Sequence, residues 1–440
     1  MKTAKYLSAE DRSHLARTCK KFGFCLTLKE QLKILSREYY GVSLKGYRRS
    51  ITINHLSFTP YQSIDDPLLL LAYHRFKSNQ FLASKKNQLE CIGTLKGHTE
   101  WVTALIILPD GRLVSGSRDK TLKVWDLNKP ERQQCVATLS GDFEEVIVLT
   151  ILPDGRFISG FYDNTLRVWD LSQPEGQQCL TTLNGHTGFV EVVTILPDGR
   201  LVSGSYDNTL KVWDLNQPQG QECVATLRGH TSRVGKVLIL PDERFVSCSY
   251  DNTLRVWDLN QPEERRCLAT LRGHTSEVTA VKMLPDGWLV SGACDNTLKV
   301  WDLNKPKGLR CVATLTGHAS GVTAVTILPD GRIVSCSYDK TLKVWDLNQP
   351  EDKQCVATLS GHTDWVTVVN ILFDGRIVSG SCDNTLKVWD LSQPEGKKCV
   401  ATLSGHTQQV VLIKILPDGR ILSGSFDNTI RVWDLNKPQQ

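Results

Sequence analysis

The side chains with chemical potential in this chain fall into repeating sets. Seven of the ten histidines follow a glycine: His98, His186, His230, His274, His318, His362 and His406. Eight cysteines (Cys91, Cys135, Cys179, Cys223, Cys267, Cys311, Cys355 and Cys399) recur every 44 residues, as do eight Trp-Asp pairs from Trp125-Asp126 to Trp433-Asp434. A histidine brought beside an aspartate is half of a general-base site, and a cysteine array could hold zinc or form disulfides. The spacing speaks against both. Eight copies of one active site are implausible, and none has a nucleophile beside it. No Cys-x-x-Cys pair occurs to pinch a metal ion. Equivalent cysteines on radially diverging strands should lie beyond the ~7 Å Cα separation that a disulfide spans. All eight are expected to be buried small hydrophobes, as are Cys248, Cys294, Cys336 and Cys382. Aspartates in Pro-Asp-Gly, such as Asp110 and Asp154, are turn formers before they are calcium ligands. There is no phosphate loop or nucleophile elbow, and no cofactor or metal is expected.

The elements that must position these residues are short strands. Residues 311–347 show one unit. Cys311 to Leu315, Val322 to Leu328, Arg332 to Ser337 and Thr341 to Leu347 are apolar or β-branched runs. Thr316-Gly317-His318, Pro329-Asp330-Gly331 and Tyr338-Asp339-Lys340 are the turns between them. Strands of this length at even spacing, without helical periodicity, predict an all-β fold. One four-stranded sheet cannot bury both faces alone, whereas radially stacked neighbours can, which predicts a propeller.

The recurring Gly-His, strand Ser, turn Asp and Trp-Asp resemble the WD40 repeat family over about 350 of 440 residues. The resemblance implies a hydrogen-bonded tetrad in each blade, which in the first blade would be His98, Ser115, Asp119 and Trp125. It also implies that each repeat is offset by one strand from its blade, so that Cys91–Leu95 completes the last one. The expected architecture is an eight-bladed β-propeller over 91–440, preceded by a small, mainly helical region over 1–90. Three positions break the pattern. Asp142 stands where the eighth histidine belongs and would face Asp163, acceptor against acceptor. A rearranged corner is expected there, which Asp142→His should stabilise. Glu243 replaces the glycine of one Pro-Asp-Gly turn, and Phe373 the proline of another.

Positions that vary within an otherwise uniform repeat carry no shared structural duty. Three residues after the histidine position stand Trp101, Glu145, Phe189, Arg233, Glu277, Gly321, Trp365 and Gln409. Just before the tight-turn aspartate stand Arg118, Tyr162, Tyr206, Tyr250, Cys294, Tyr338, Cys382 and Phe426. The resemblance places both sets on the top face. Blades 7, 8, 1, 2 and 3 would present Trp365, Phe426, Trp101, Arg118, Tyr162, Phe189 and Tyr206 together, with Glu100, Glu144, Glu145 and Asp364 between them. Clustered Trp, Tyr and Arg are the composition of an interface hot spot. Trp101 and Trp365 are the foremost contact candidates, and the carboxylates predict a protein partner with basic residues.

The net charge of +5 divides unevenly. Residues 1–90 carry 16 basic and 7 acidic side chains, and the remainder 36 and 40. In this basic head, Thr27-Leu28-Lys29-Glu30 forms a capping box, and Leu28, Leu32, Leu35 and Tyr39 follow helical spacing. Leu7, Asp11, Leu15, Cys19 and Phe22 resemble the second half of an F-box, which implies docking on the adaptor of a cullin-type ubiquitin ligase. No aromatic platform supports nucleic-acid binding. No apolar run reaches the ~18–20 residues of a membrane span, and no secretory leader is evident. The expectation is a monomeric, cytoplasmic, non-enzymatic scaffold, with a ubiquitin-ligase substrate receptor as the more specific alternative.

Overall fold

The computed structural model describes residues 91–306 and 308–435. Expectations for the basic head therefore lie outside the described residues. The first strand, β1 (Cys91–Leu95), is followed by β2 (Val102–Ile107), β3 (Leu113–Ser117), β4 (Leu122–Trp125) and β5 (Cys135–Leu139). Strands β6–β29 repeat the last four between Val146 and Leu403. The series ends with β30 (Val410–Ile415), β31 (Ile421–Ser425) and β32 (Ile430–Trp433). Blade 1 is the antiparallel sheet β2-β3-β4-β5, and each later blade follows the same order. Blade 8 is β30-β31-β32-β1, so the strand from before the first repeat completes the last blade. Eight blades and the expected one-strand offset are both present.

The turns explain the register. In blade 1, Gly111 takes φ 86° and donates its N–H to Leu108, while Arg112 N–H is held by Asp110 Oδ1. The tight turn after β3 needs one left-handed residue, and six repeats supply asparagine, from Asn164 to Asn428. Asparagine tolerates that conformation better than other residues with a side chain. Glu243 stands at φ 71° where seven repeats have glycine, a strained position for a side chain.

The core lies between blades. Every residue of β3 is buried. Val114, Leu122, Val124 and Leu139 of blade 1 pack with Val146, Phe157 and Trp169 of blade 2. Across the closure, Leu95, Leu422, Ile430 and Val432 of blade 8 pack with Val102, Leu113 and Trp125. Neighbouring blades approach so closely that a Cβ on Gly204 would stand 2.8 Å from Val234 Cγ1. Cys248 and Cys336 occupy this same position in blades 4 and 6 and are fully buried. Four threonines tie one blade's inner strand to the next through their hydroxyls. Examples are Thr279 Oγ1 to Val322 O and Thr323 Oγ1 to Val366 O, both 2.6 Å.

The outer-strand cysteines correct one expectation. Cys135, Cys179, Cys311 and Cys355 are exposed, and Cys91, Cys223, Cys267 and Cys399 are partly so. The outermost strand has no neighbour beyond it, so its side chains border solvent. All described cysteines are free thiols.

Candidate functional site

Seven blades carry the tetrad. In blade 1, Trp125 Nε1 donates to Ser115 Oγ at 2.8 Å, His98 Nε2 meets the same oxygen at 2.7 Å, and His98 Nδ1 lies 2.7 Å from Asp119 Oδ2. The indole can only donate, so the serine hydroxyl passes its proton toward Nε2, and the histidine donates from Nδ1. Burial holds His230, His274 and His318 below the usual imidazole value, against the pull of their aspartates. Burial also acts to raise Asp119. Hydrogen bonds from His98 and Thr121 outweigh it and hold this carboxyl at about 2. Each chain of donors closes on itself within one blade, which makes the set a structural clasp.

Blade 2 is rearranged, though not with carboxylate facing carboxylate. Asp142 is exposed, and Arg167 bridges from its backbone oxygen, at 2.6 Å, to Asp163 Oδ2 at 3.5 Å. Phe143 fills the histidine's place. Its ring stands edge-on to Trp169 at 5.9 Å, matching the 6.1 Å of His98 to Trp125. Phe161, where six repeats have serine, packs against it at 4.7 Å.

On the top face the two variable positions of each blade are joined by one backbone bond. Arg118 N–H donates to Trp101 O, and Cys382 N–H to Trp365 O. The side chains then alternate around the ring, so that each pre-strand residue lies between the hairpin residue of its own blade and that of the blade before. Phe426 stacks on Trp101 at 4.0 Å, Arg118 covers the other face of Trp101 at 4.2 Å, and Arg118 pairs with Glu145 at 3.3 Å. A second stack runs Tyr162, Phe189, Tyr206, Arg233 and Tyr250. Arg233 also bonds the Tyr206 hydroxyl and faces Glu191 at 3.9 Å. In a third group Tyr338 meets Trp365 edge-on at 4.7 Å. Glu100 is exposed, and Lys120 pairs with Glu144 at 2.6 Å.

The expected patch from Trp365 to Tyr206 is thus divided into separate stacks. Trp101 is half-buried with both faces covered. Trp365 is 50% exposed, against 36% and 37% for Tyr162 and Tyr206. Burial raises the phenols of Tyr250 and Tyr338. Sequence comparison missed a further set on the inner strands. Glu191, Lys236, Lys282 and Lys414 are charged where most repeats carry uncharged residues. Comparing repeats along the inner strand would have revealed them.

The family model for the WD domain, G-beta repeat, matches eight times: 89–126, 133–170, 177–214, 221–258, 265–302, 309–346, 353–390 and 397–434. Nuclear distribution protein PAC1 of Candida albicans is 48% identical over 50 residues, 11% of this chain and 10% of that protein. Mitochondrial division protein 1 of Saccharomyces cerevisiae is 43% identical over 61 residues, 13% of this chain and 8% of that protein. The chain spans about a tenth of the length of these curated relatives. Such stretches are little longer than one repeat, so they carry the repeat and not the relatives' roles. The crystal structure of the computationally designed Ika8 protein superimposes with a TM-score of 0.65 at 32% identity, covering 79% of this chain and 99% of that one.

Proposed function

Since this chain belongs to the WD40 repeat family, we propose that it is a non-catalytic scaffold that binds a protein partner on the top face of its propeller. The observation that carries this reading is the Trp365 indole, half exposed on a face where the other pre-strand aromatics, Trp101 and Phe189, lie within stacks. An exposed indole held by a rigid frame is the kind of anchor that dominates interface energy. The chemistry of the blades agrees. Every described histidine is bonded to the serine and aspartate of its own blade. Asp364 and the nearby carboxylates favour a partner with basic residues. A cytoplasmic monomer remains our proposal for its setting.

The test begins with the full chain as bait, followed by titration calorimetry of each captured protein after purification. A true partner should lose at least about tenfold in affinity for Trp365→Ala, the scale of a hot-spot truncation. Equal affinity for Trp365→Ala would overturn the reading.

A further inference from the structure

Blade 1 and blade 7 share one plan, and they differ in the residues that complete it. In blade 1 the sequence of contacts is Phe426, Trp101, Arg118, Glu145. The equivalent residues around blade 7 are Tyr338, Trp365, Cys382 and Gln409. The frame is conserved, since Cys382 N–H bonds Trp365 O at 2.8 Å as Arg118 N–H bonds Trp101 O at 3.0 Å. An aromatic neighbour on one side is also kept, although Tyr338 meets Trp365 edge-on at 62° where Phe426 lies flat on Trp101 at 10°. The difference that bears on exposure is the cation. Arg118 lays a guanidinium over its indole, whereas a thiol is too short to cover Trp365, which is why this indole is exposed.

The surroundings of Trp365 suit a guanidinium. Asp364 is only half-buried and bonds its own chain at Trp365 N. Burial, Asp364 and Asp383 push the Cys382 thiol up to about 11, so the thiol stays neutral and the local field is negative. Gln409 is exposed and offers an amide oxygen where Glu145 receives Arg118. Lys340, in the hairpin of the blade before, bonds the Thr363 carbonyl at 2.9 Å. The same combination of ring, guanidinium and carboxylate recurs with Arg233, between Tyr206 and Tyr250 and facing Glu191. Arg167, over Phe143 and Phe161 and 3.5 Å from Asp163, repeats it in the blade 2 corner, so the described residues use this arrangement three times internally.

We propose that the open face of Trp365 receives an arginine side chain from the partner, which completes in trans the stack that Arg118 completes in cis. The inference rests on the top-face reading above. It narrows that reading to one residue type, for which a flat cation over an indole beside a carboxylate is the recognition chemistry.

The test uses the full-length protein and three nine-residue Gly/Ser peptides with a single central arginine, lysine or citrulline. Citrulline keeps the shape and removes the charge. Binding is followed by the indole N–H resonance of Trp365, assigned from its loss in Trp365→Phe. The arginine peptide should shift this resonance saturably and bind about tenfold tighter than citrulline, with lysine between them. Cys382→Arg should abolish the shift by supplying the guanidinium internally, and Cys382→Ser should leave it intact. Arg118→Cys should open a second site, seen as a new shift at Trp101. Equal binding of arginine and citrulline, or full binding by Cys382→Arg, overturns the proposal. If a purified partner still requires Trp365 while the peptides fail these criteria, only the arginine assignment falls. If no partner requires Trp365, the top-face reading falls with it.

Discussion

The Trp101 indole lies flat on Phe426, 4.0 Å between centroids and 10° between planes, and so joins the first blade to the last across the ring closure. Residues more than 300 positions apart form this contact beside β1 pairing with β32. Trp101 and Trp365 share a position in the repeat and a residue type, yet only Trp365 is left open.

That difference predicts a split in the effect of truncating them. Trp101→Ala removes an aromatic stack and a cation–π contact and leaves Phe426 and Arg118 uncovered. It should destabilise by about 2–3 kcal/mol. Trp365→Ala removes a half-exposed ring with a single edge contact to Tyr338 and should cost no more than about 1 kcal/mol. Urea denaturation of both variants checks this, and equal losses would contradict it.

Glu243 offers a gain. Its φ of 71° is the left-handed conformation that glycine adopts in seven sister turns. The turn is correspondingly loose: Glu243 N to Leu240 O is 3.2 Å against 3.0 Å at Gly111, and Arg244 N to Asp242 Oδ1 is 3.3 Å against 3.0 Å at Arg112. Glu243→Gly should stabilise by about 1 kcal/mol, the left-handed penalty less the added freedom of the unfolded chain. A melting temperature that falls or does not move would show that this turn bears no strain.

The sequence pattern made blade number, strand order and the tetrad readable, because the repeat is stated eight times and the tetrad seven, and errors in one copy are corrected by the others. Cys135 and Cys311 misled for a related reason. Periodicity marks a shared position but not which side of it meets solvent, and the outermost strand lacks a covering neighbour. The top face was legible as a set of positions and not as a set of contacts. Trp101 and Trp365 look alike in sequence, and what separates them is Arg118 against Cys382, 17 residues further on in each case.

Blade 2 shows the same limit. Restoring histidine at 142 looked stabilising from the sequence, but Phe143 occupies the ring's place against Trp169 and Phe161 fills the space beside it. Asp142→His alone would meet a full pocket and should give no gain in melting temperature. The tetrad should return only when Asp142→His is joined to Phe143→Thr and Phe161→Ser, the residues of the sister repeats. A gain from the single change would mean that Phe143 yields the site at no cost.

The tetrads predict acid sensitivity, and the sign follows from both partners. Burial holds His230, His274 and His318 below 6.5, so the unfolded chain takes up protons first as pH falls through that value. Stability from these groups is complete above about pH 7 and declines below it. Asp119 is held at about 2 against an ordinary 3.8, with burial opposing and the bonds from His98 and Thr121 prevailing. Its contribution is complete above 3.8 and is lost as pH falls toward 2. The two losses share a direction, so the melting temperature should be level above pH 7, decline once pH falls below 6.5, and drop further below 4. Scanning calorimetry from pH 8 to 3.5 measures this. An unchanged melting temperature between pH 7.5 and 5 would mean that His230, His274 and His318 accept protons in the folded ring, and that burial does not hold these three imidazoles neutral.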